Sequence, residues 1–351
     1  MLRRFAAIAC LSLVAPCAAS GASSPTVQTE HAVTTLRVES MGLKPGAVAT
    51  LLLDQTLQEG WHVYWKNPGD SGLPLDLQWA LPEGFAAGGV VYPTPSRIPI
   101  GPLANYGFFG SPAFLIPLQV PAAAKIGDSV EIGLKATWLI CEEICVPEEA
   151  QFSLTMPIVG VATSDPEVAS LFAEARAAIP VPLGADGTFA VDGSAVIFSF
   201  PAPNVSGGNY YFFPETESLI EPSAPQNAAR RGEKLVIETA AASGAASAPD
   251  SMRGVLARVG SAVGYEVELA RDPGLKRLAG GAVASGSGEG TGGPAGGRWG
   301  GVGLMLAFAF LGGVILNIMP CVFPVIFIKA ATLMKTGGAA RRDVRRSGIA
   351  Y

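Results

Sequence analysis

The chain has 351 residues, of which 49% are hydrophobic and 15% are charged, and its formal net charge at pH 7 is −5. The sequence contains no basic stripe with interleaved aromatic residues, so nucleic acid is excluded as a partner class. It also lacks a glycine-rich phosphate loop followed by Lys-Ser/Thr and a Gly-x-Ser-x-Gly elbow, which argues against nucleotide-binding and hydrolase functions.

Residues 1–22 have the pattern of a secretory signal peptide. Arg3 and Arg4 give a positively charged start, residues 5–15 are apolar, and residues 18–22 are small and suited to cleavage. The following residues are therefore predicted to face an oxidising, periplasm-like compartment.

The mature chain is predicted to keep an odd number of cysteines. Cleavage of the signal peptide would remove Cys10 and Cys17 and leave Cys141, Cys145 and Cys321. An odd number of cysteines requires either an idle thiol or a partner outside this sequence.

Residues 23–160 are predicted to form an immunoglobulin-like antiparallel β-sandwich. Apolar and polar residues alternate between 130 and 138, as in a half-buried strand, and similar short runs are separated by Pro, Gly and Asp clusters. The other runs lie at 34–38, 48–53, 61–65, 114–120 and 151–156.

The chain has two histidines, His31 and His62. Neither lies near a cysteine or an acidic cluster in the sequence, so no histidine-rich zinc or copper site is predicted. His62 alternates with Trp61 and Val63 and is predicted to point outward from its strand.

Residues 161–180 are predicted to form a helical connector. Residues 164–167 (SDPE) have the pattern of a helix start, and Pro180 is expected to follow the end of the helix. The predicted apolar face consists of Val168, Leu171, Phe172 and Ala175.

Residues 181–275 are predicted to form a second β-rich domain without a catalytic constellation. Its strands are expected at 195–200, 210–213, 234–239, 252–259 and 265–270. The aromatic run at 210–213 could be a binding surface, but core packing is favoured because large aromatic side chains are mostly buried.

The C-terminal part is predicted to be tethered to a membrane. Residues 276–299 are glycine-rich and typical of a flexible linker. Within residues 300–334, the run 302–328 is apolar over 27 residues, whereas about 20 suffice to cross a bilayer. Residues 335–351 carry five Lys or Arg residues, which indicates the cytoplasmic side, and their end resembles the start of a next span.

The stretch WLICEEICVPE at residues 138–148 raises three alternatives for Cys141 and Cys145: a redox pair, a structural bridge or a metal clip that favours Cu(I). In an unbroken strand their Cα atoms would lie about 13 Å apart, beyond disulfide reach, so pairing requires a turn at residues 142–144. A bridge across so short a loop contributes only about 2 kcal/mol, which favours the redox alternative.

Two carboxylates stand between the cysteines, Glu142 and Glu143. Negative charge beside a thiol disfavours the thiolate, and therefore disfavours the reduced pair. The pair is predicted to donate electrons, whereas a measured potential near about −120 mV would identify an oxidant.

The predicted membrane helix contains Pro320, Cys321 and Pro324 in the sequence LNIMPCVFP. Each proline frees backbone groups that neighbouring helices or water must satisfy, so this helix is expected to have helical neighbours. The partner of Cys321 is then expected on another helix.

These motifs resemble those of a known family. The PCVFP core at 320–324 resembles the membrane domain of DsbD-type thiol:disulfide interchange proteins, and the Cys-x3-Cys pair after a β-sandwich resembles their periplasmic N-terminal domain. Residues 61–72 (WHVYWKNPGDSG) and 138–141 (WLIC) are most similar to the ScsB-like branch. The resemblance covers residues 30–160 and 300–351, and it extends to 180–275 by position only.

The resemblance implies a protein-disulfide reductase of the bacterial inner membrane that uses cysteine pairs and no other cofactor or metal, with a link to cytochrome c biogenesis. Electrons would pass from cytoplasmic thioredoxin to a pair of membrane cysteines, then to a thioredoxin-like domain or protein, and finally through Cys141 and Cys145 to periplasmic disulfide substrates. Cys321 would be one membrane cysteine. Its partner would lie on a later helix, so the sequence is expected to be an N-terminal fragment.

The family also shields its periplasmic cysteine pair with a short aromatic cap loop. Residues 105–110 (NYGFFG) are similar to it in character and placement, so Tyr106, Phe108 and Phe109 are predicted cap residues. The alternative is a hairpin turn whose rings pack in the core.

Overall fold

Alternating apolar residues build two β-sheets that pack face to face, as predicted for the first part of the chain. A computed structural model describes residues 23–201, 209–261 and 263–278. The strands of the sandwich are β1 (Val27–Gln28), β2 (Ala32–Val38), β3 (Val48–Leu57), β4 (His62–Gly69), β5 (Asp76–Ala80), β6 (Ala86–Ala87), β7 (Ser96–Ile100), β8 (Leu103–Phe109), β9 (Ala113–Gln119), β10 (Ser129–Cys141) and β11 (Cys145–Pro157).

One sheet of the sandwich has the order β1-β2-β3-β9-β6, and the other has the order β11-β10-β4-β8-β7 with β5 paired to β10. The core lies between them and includes Leu53 and Ile116 from the first sheet and Trp65, Ile132 and Trp138 from the second. Each of the six runs predicted from alternation lies in one of these strands or begins next to it. The prediction did not include β1, β5, β6 and β7, which are short, or β8, most of which was predicted as a loop.

The predicted connector contains α1 (Ala169–Ala178). Its buried residues Phe172 and Ala175 pack with Val168 against the outer face of the first sheet, at Leu52 and Leu115. The helix ends before Pro180 as predicted, but it begins later than the SDPE motif suggested. That motif forms a turn instead, in which Asp165 Oδ1 accepts a hydrogen bond from the Glu167 amide at 2.9 Å.

The second β region forms a mixed sheet of order β15-β18-β19-β13-β14-β17-β16, with β12 paired to β19. All five predicted strands are present. The strands are β12 (Val181–Pro182), β13 (Gly187–Asp192), β14 (Ala195–Pro201), β15 (Tyr210–Pro214), β16 (Asn227–Arg231), β17 (Lys234–Ala240), β18 (Ser251–Arg258) and β19 (Gly264–Arg271), with a 3-10 turn at Ala245–Ser247.

The aromatic run at 210–213 packs in the core, which confirms the favoured alternative. Tyr210 and Phe212 belong to the core of the second sheet, whereas Tyr211 and Phe213 join the core of the sandwich. Because β15 contributes to both cores, the two β regions share buried surface.

Polar contacts reinforce this junction. Asn67 at the end of β4 donates a hydrogen bond to the Pro214 carbonyl at 2.7 Å, and the Tyr106 and Tyr211 hydroxyls lie 3.1 Å apart. All described residues lie in one compact unit. The finer domain boundaries stay predictions.

Several predicted segments lie outside the described residues. These are the signal peptide, most of the linker, the transmembrane helix with Pro320, Cys321 and Pro324, and the basic segment at 335–351. Within the described ranges, no helix combines the length and the apolar character that crossing a membrane requires.

Candidate functional site: the Cys141–Cys145 pair

The cysteine pair lies at the tip of the long β10–β11 hairpin. Cys141 ends β10, Cys145 begins β11, and the two residues are direct cross-strand partners. They form a disulfide with their Cα atoms 4.2 Å apart. The connecting residues 142–144 make the tight turn that pairing required, with a hydrogen bond from the Glu142 amide to the Ile144 carbonyl. This confirms the predicted turn.

The two sulfurs differ in accessibility. Cys141 is only 1% exposed, whereas Cys145 is exposed, as are Glu142 and Glu143. Ile144 is 67% exposed at the tip of the hairpin. Since exchange requires a thiolate to approach one sulfur of the disulfide, Cys145 is the sulfur that an incoming thiolate can reach.

Strand register places the disulfide in one row with two further side chains. Cys141 is the partner of Cys145 on β11 and of His62 on β4, and His62 is in turn the partner of Phe109 on β8. Directly opposed residues of antiparallel strands share one face of the sheet. We call Cys145, Cys141, His62 and Phe109 the redox row.

Tyr64 contacts both sulfurs of the disulfide. It lies two residues after His62 on β4 and therefore on the same face of the sheet. Its hydroxyl donates a hydrogen bond to Cys141 Sγ at 2.8 Å and lies 3.5 Å from Cys145 Sγ. Burial raises the pKa of Tyr64, while a hydrogen bond from Asn105 opposes this effect. The phenol therefore remains protonated, and remains a donor, at neutral pH.

The β4–β5 loop, residues 70–75, covers Tyr64 on the outer face of the sheet. An added Cβ atom at Gly72 would lie 2.1 Å from Tyr64 Cε1, so the loop backbone rests on the ring. Ser71 donates its amide and its hydroxyl to Asn105 Oδ1 at 3.1 and 3.0 Å. Asp70 Oδ2 accepts the Ala104 amide at 2.8 Å. The loop is thus fastened to β8 and holds the phenol against the disulfide.

A Tyr64→Phe variant is expected to weaken the thiolate form of Cys141 without unfolding the site. A hydrogen bond to a charged group contributes about 1.5 to 3 kcal/mol, so the pKa of Cys141 in the reduced pair should rise by about 1 or more. The reduction potential should become more negative by about 30 mV or more. Ultraviolet thiolate absorbance as a function of pH and equilibration with a dithiol would measure both.

Tyr92→Phe provides the matched control, because Tyr92 is a buried tyrosine that stacks on Phe108 in the sandwich core. Tyr92→Phe should change neither the pKa of Cys141 nor the reduction potential of the pair. Equal behaviour of the two variants would show that the Tyr64 hydroxyl does not act on the cysteines.

His62 points outward from its strand as predicted, but it is buried and not exposed to solvent. It does lie on the face opposite Trp61 and Val63, but its exposed fraction is 2% because this part of the outer face is covered. Its ring contacts those of Tyr64 and Phe109, with centroids 5.3 and 5.5 Å apart. His62 Nε2 has no hydrogen-bond partner among the described residues. Burial lowers the pKa of His62 from 6.5 to about 4.

The free energy of unfolding should therefore fall as the pH falls from 6.5 to about 4. In that range the unfolded chain binds a proton at residue 62 that the folded chain does not bind. The contribution of neutral, buried His62 to the free energy of unfolding is fully present above pH 6.5. About 3 kcal/mol of this contribution is lost when the pH reaches about 4. Denaturant titrations of the wild type and of His62→Gln should differ in slope over this interval, and parallel pH profiles would contradict the expectation.

The predicted cap loop at residues 105–110 is wrong as a loop, because β8 occupies it as far as Phe109. Tyr106 and Phe108 alternate into the core, and the intervening Gly107 allows β4 to approach closely: an added Cβ atom there would lie 2.1 Å from the Val63 carbonyl oxygen. Phe109 is different, since it is 50% exposed and contacts His62 at the end of the redox row.

Sequence reasoning identified the two cysteines but missed Tyr64, Asn105, His62 as a buried neighbour, and the β4–β5 loop as the cover. The sequence feature that could have identified them was the similarity of residues 61–72 to the ScsB-like branch. That stretch supplies His62 and Tyr64 beneath the disulfide and Gly72 above the phenol. Within the described part of the chain, no group of three His, Cys, Asp or Glu side chains is arranged to hold a metal ion.

Comparison with known proteins agrees with this geometry. Residues 31–157 match the family model for the N-terminal domain of the thiol:disulfide interchange protein DsbD. No curated protein sequence matches the chain significantly.

Among solved structures, the N-terminal periplasmic domain of ScsB from Proteus mirabilis is similar with a TM-score of 0.53 and 15% identity, over 72% of this chain and 98% of that one. Because the match covers 72% of this chain, the similarity in fold includes both β regions. The yeast GGA1 GAE domain matches with a TM-score of 0.22 and 15% identity, over 37% of this chain and 97% of that one, and this weaker likeness supports no argument. Residues 31–157 are therefore similar to the N-terminal domain of the DsbD-type thiol:disulfide interchange proteins.

Proposed function

We propose that the Cys141–Cys145 pair is a redox centre that accepts electrons from a thioredoxin-like donor and passes them to periplasmic disulfide proteins. The observation that carries this proposal is the asymmetry of the pair: Cys145 is exposed, while Cys141 is buried with its sulfur on the Tyr64 hydroxyl. A structural bridge at the tip of a hairpin closes a very short loop and stabilises the fold little. A structural bridge also does not require a hydrogen-bond donor on one of its sulfurs.

The chemistry begins with attack on the exposed sulfur. A donor thiolate attacks Cys145 Sγ, a mixed disulfide forms, and the Cys141–Cys145 bond breaks with its electron pair on Cys141. The Tyr64 hydroxyl is already in place to stabilise the leaving Cys141 thiolate. A second donor thiol then attacks the mixed disulfide at the donor's own sulfur, and this step leaves the donor oxidised and both cysteines reduced.

Electron delivery follows the same path in reverse. The Cys145 thiolate attacks a substrate disulfide, one substrate sulfur leaves as a thiolate, and Cys141 attacks Cys145 Sγ to restore the disulfide. Cys145 is thus the nucleophile toward external partners, and Cys141 is the resolving cysteine.

Two kinds of group with opposite effects set the reduction potential of the Cys141–Cys145 pair. The exposed carboxylates of Glu142 and Glu143 disfavour thiolates, whereas the Tyr64 hydroxyl favours one at Cys141. The carboxylates therefore lower the reduction potential and the single Tyr64 hydrogen bond at 2.8 Å raises it, and this opposition keeps the potential below that of an oxidant. We infer a potential in the range of reducing thiol proteins rather than that of oxidants.

The remaining parts of the proposal extend beyond the described residues. The N-terminal domains lie in the periplasm and are held at the inner membrane by the span at 300–334. Cys321 relays electrons from cytoplasmic thioredoxin within that membrane domain, and no cofactor other than cysteine pairs takes part.

The redox state of the pair in cells tests the proposal. Free thiols are alkylated in cells with and without cytoplasmic thioredoxin, and the mass of the hairpin peptide reports whether Cys141 and Cys145 are reduced. The proposal predicts a substantial reduced fraction that disappears without thioredoxin. A pair that is fully oxidised in both strains would indicate a structural bridge, and stoichiometric copper on a reduced pair would favour the metal clip.

A further inference from the structure

The proposed exchange reaction gives no task to His62, the titratable member of the redox row beside the two cysteines. It is the cross-strand partner of Cys141, and directly opposed residues have Cβ atoms about 4.5 to 5.5 Å apart. Its Nε2 atom is buried and unpartnered within the described residues. Such atoms are rare in folded proteins, and a catalytic role is one of the explanations for them.

Exchange creates a problem of charge at this position. When a donor thiolate attacks Cys145, the negative charge moves to Cys141, which is 1% exposed. A buried charge needs a partner of opposite sign, and the neutral Tyr64 hydroxyl supplies a hydrogen bond but no charge.

We propose that His62 takes up a proton when Cys141 becomes a thiolate, so that reduction produces a thiolate–imidazolium pair inside the sheet face. This inference rests on the proposed redox function of the same site. The step is balanced: a donor thiol and the disulfide yield the mixed disulfide and the Cys141 thiolate, and the proton lost by the donor thiol is gained by His62. When Cys141 attacks Cys145 Sγ and the disulfide re-forms, the imidazolium returns this proton to the departing substrate thiolate.

The surroundings of His62 suit such a switch. The titratable groups that face it are Tyr64 on its own strand and Cys141 on β10, while β8 contributes the uncharged ring of Phe109. The nearby carboxylate of Glu142 is turned to Gly60, ahead of β4. In the disulfide state burial keeps the imidazole neutral by lowering its pKa to about 4. A thiolate at Cys141 raises that pKa again, because an opposite charge at this distance favours the charged form.

Nuclear magnetic resonance of the full chain, labelled at histidine, tests the proposal. The chain has two histidines, so each titration can be assigned by substitution. In the oxidised protein the His62 signal should titrate near pH 4. After reduction with dithiothreitol it should titrate near neutral pH or above, a change of about a thousandfold in proton affinity. The same midpoint in both states would overturn the proposal.

Two variants separate the proposed role from a structural one. His31→Gln removes the other histidine, which stacks on Trp61 and contacts Glu148, and it should leave the His62 shift intact. Cys141→Ser removes the thiolate, and it should abolish the shift although the fold and Cys145 remain. A shift that persists in the reduced Cys141→Ser variant would overturn the assignment to this pair.

Kinetics supply the second readout. Reduction of the disulfide by dithiothreitol should be about tenfold slower in His62→Gln than in the wild type at neutral pH, and His31→Gln should match the wild type. If the pair exchanges with thiols but the rate in His62→Gln and the His62 midpoint are both unchanged, this inference fails while the proposed function stands. If the pair is not redox-active in cells, the proposed function fails independently of the titration.

Discussion

A Cys141→Ala variant is expected to accumulate mixed disulfides through Cys145, whereas Cys145→Ala is expected to form almost none. The reason is geometric, since Cys145 is exposed and Cys141 is buried. Without Cys141, an adduct at Cys145 has no neighbouring thiol to resolve it. We expect the trapped fraction to differ between the two variants by about tenfold or more, because both variants lack a resolving thiol but only Cys145 is accessible to a partner.

Non-reducing gels of thiol-trapped cells, followed by mass spectrometry of the adducts, would measure this difference. The double variant Cys141→Ala/Cys145→Ala is the control for adducts formed elsewhere in the chain. Equal trapping by the two single variants would contradict the assigned order of attack. Adducts found predominantly in Cys145→Ala would reverse it.

Gly72→Ala is expected to cause the largest loss of stability among small substitutions at the site. Gly72 has φ +106°, a conformation that side chains rarely adopt, and an added Cβ atom would lie 2.1 Å from the Tyr64 ring. Backbone strain and overpacking each cost about 1 to 3 kcal/mol, so the free energy of unfolding should fall by about 2 to 6 kcal/mol. If the loop shifts to relieve the clash, Tyr64 is freed and Cys141 becomes accessible to thiol reagents.

Gly101→Ala separates the two contributions, because Gly101 also has positive φ, +55°, but an added Cβ atom there would meet nothing within 4 Å. This control should lose only about 1 kcal/mol. Urea unfolding and the rate of disulfide reduction should be measured on both variants. A cost for Gly72→Ala no greater than that for Gly101→Ala would show that the loop does not press on Tyr64.

The elements that sequence reasoning predicted well are those in which local chemistry decides the structure. The alternation from Val130 to Trp138 specifies both the strand and its buried face, because a shift of one residue would expose every apolar side chain. The turn between Cys141 and Cys145 follows from disulfide geometry alone. Both features depend on neighbours in the chain, so one sequence is sufficient to predict them.

The errors arose where tertiary contacts override the local pattern. His62 lies on the polar face of its strand, and nothing local reveals that the outer face is covered there. The stretch at 105–110 has the glycines and aromatics of a loop, but Tyr106 packs against Tyr211 from a region about 100 residues away, which stabilises a strand. Tyr64 is close to the cysteines only through the pairing of β4 with β10, which periodicity does not determine.

The two-electron reduction potential of the Cys141–Cys145 pair decides whether the pair is a reducing redox centre. It can be measured by equilibrating the full chain with dithiol and disulfide mixtures and quantifying the reduced fraction after acid quenching and alkylation. We expect a value between about −200 and −270 mV, the range of glutaredoxins and thioredoxins. A value near about −120 mV, typical of an oxidant, or one below about −300 mV, typical of a structural disulfide, would contradict this expectation.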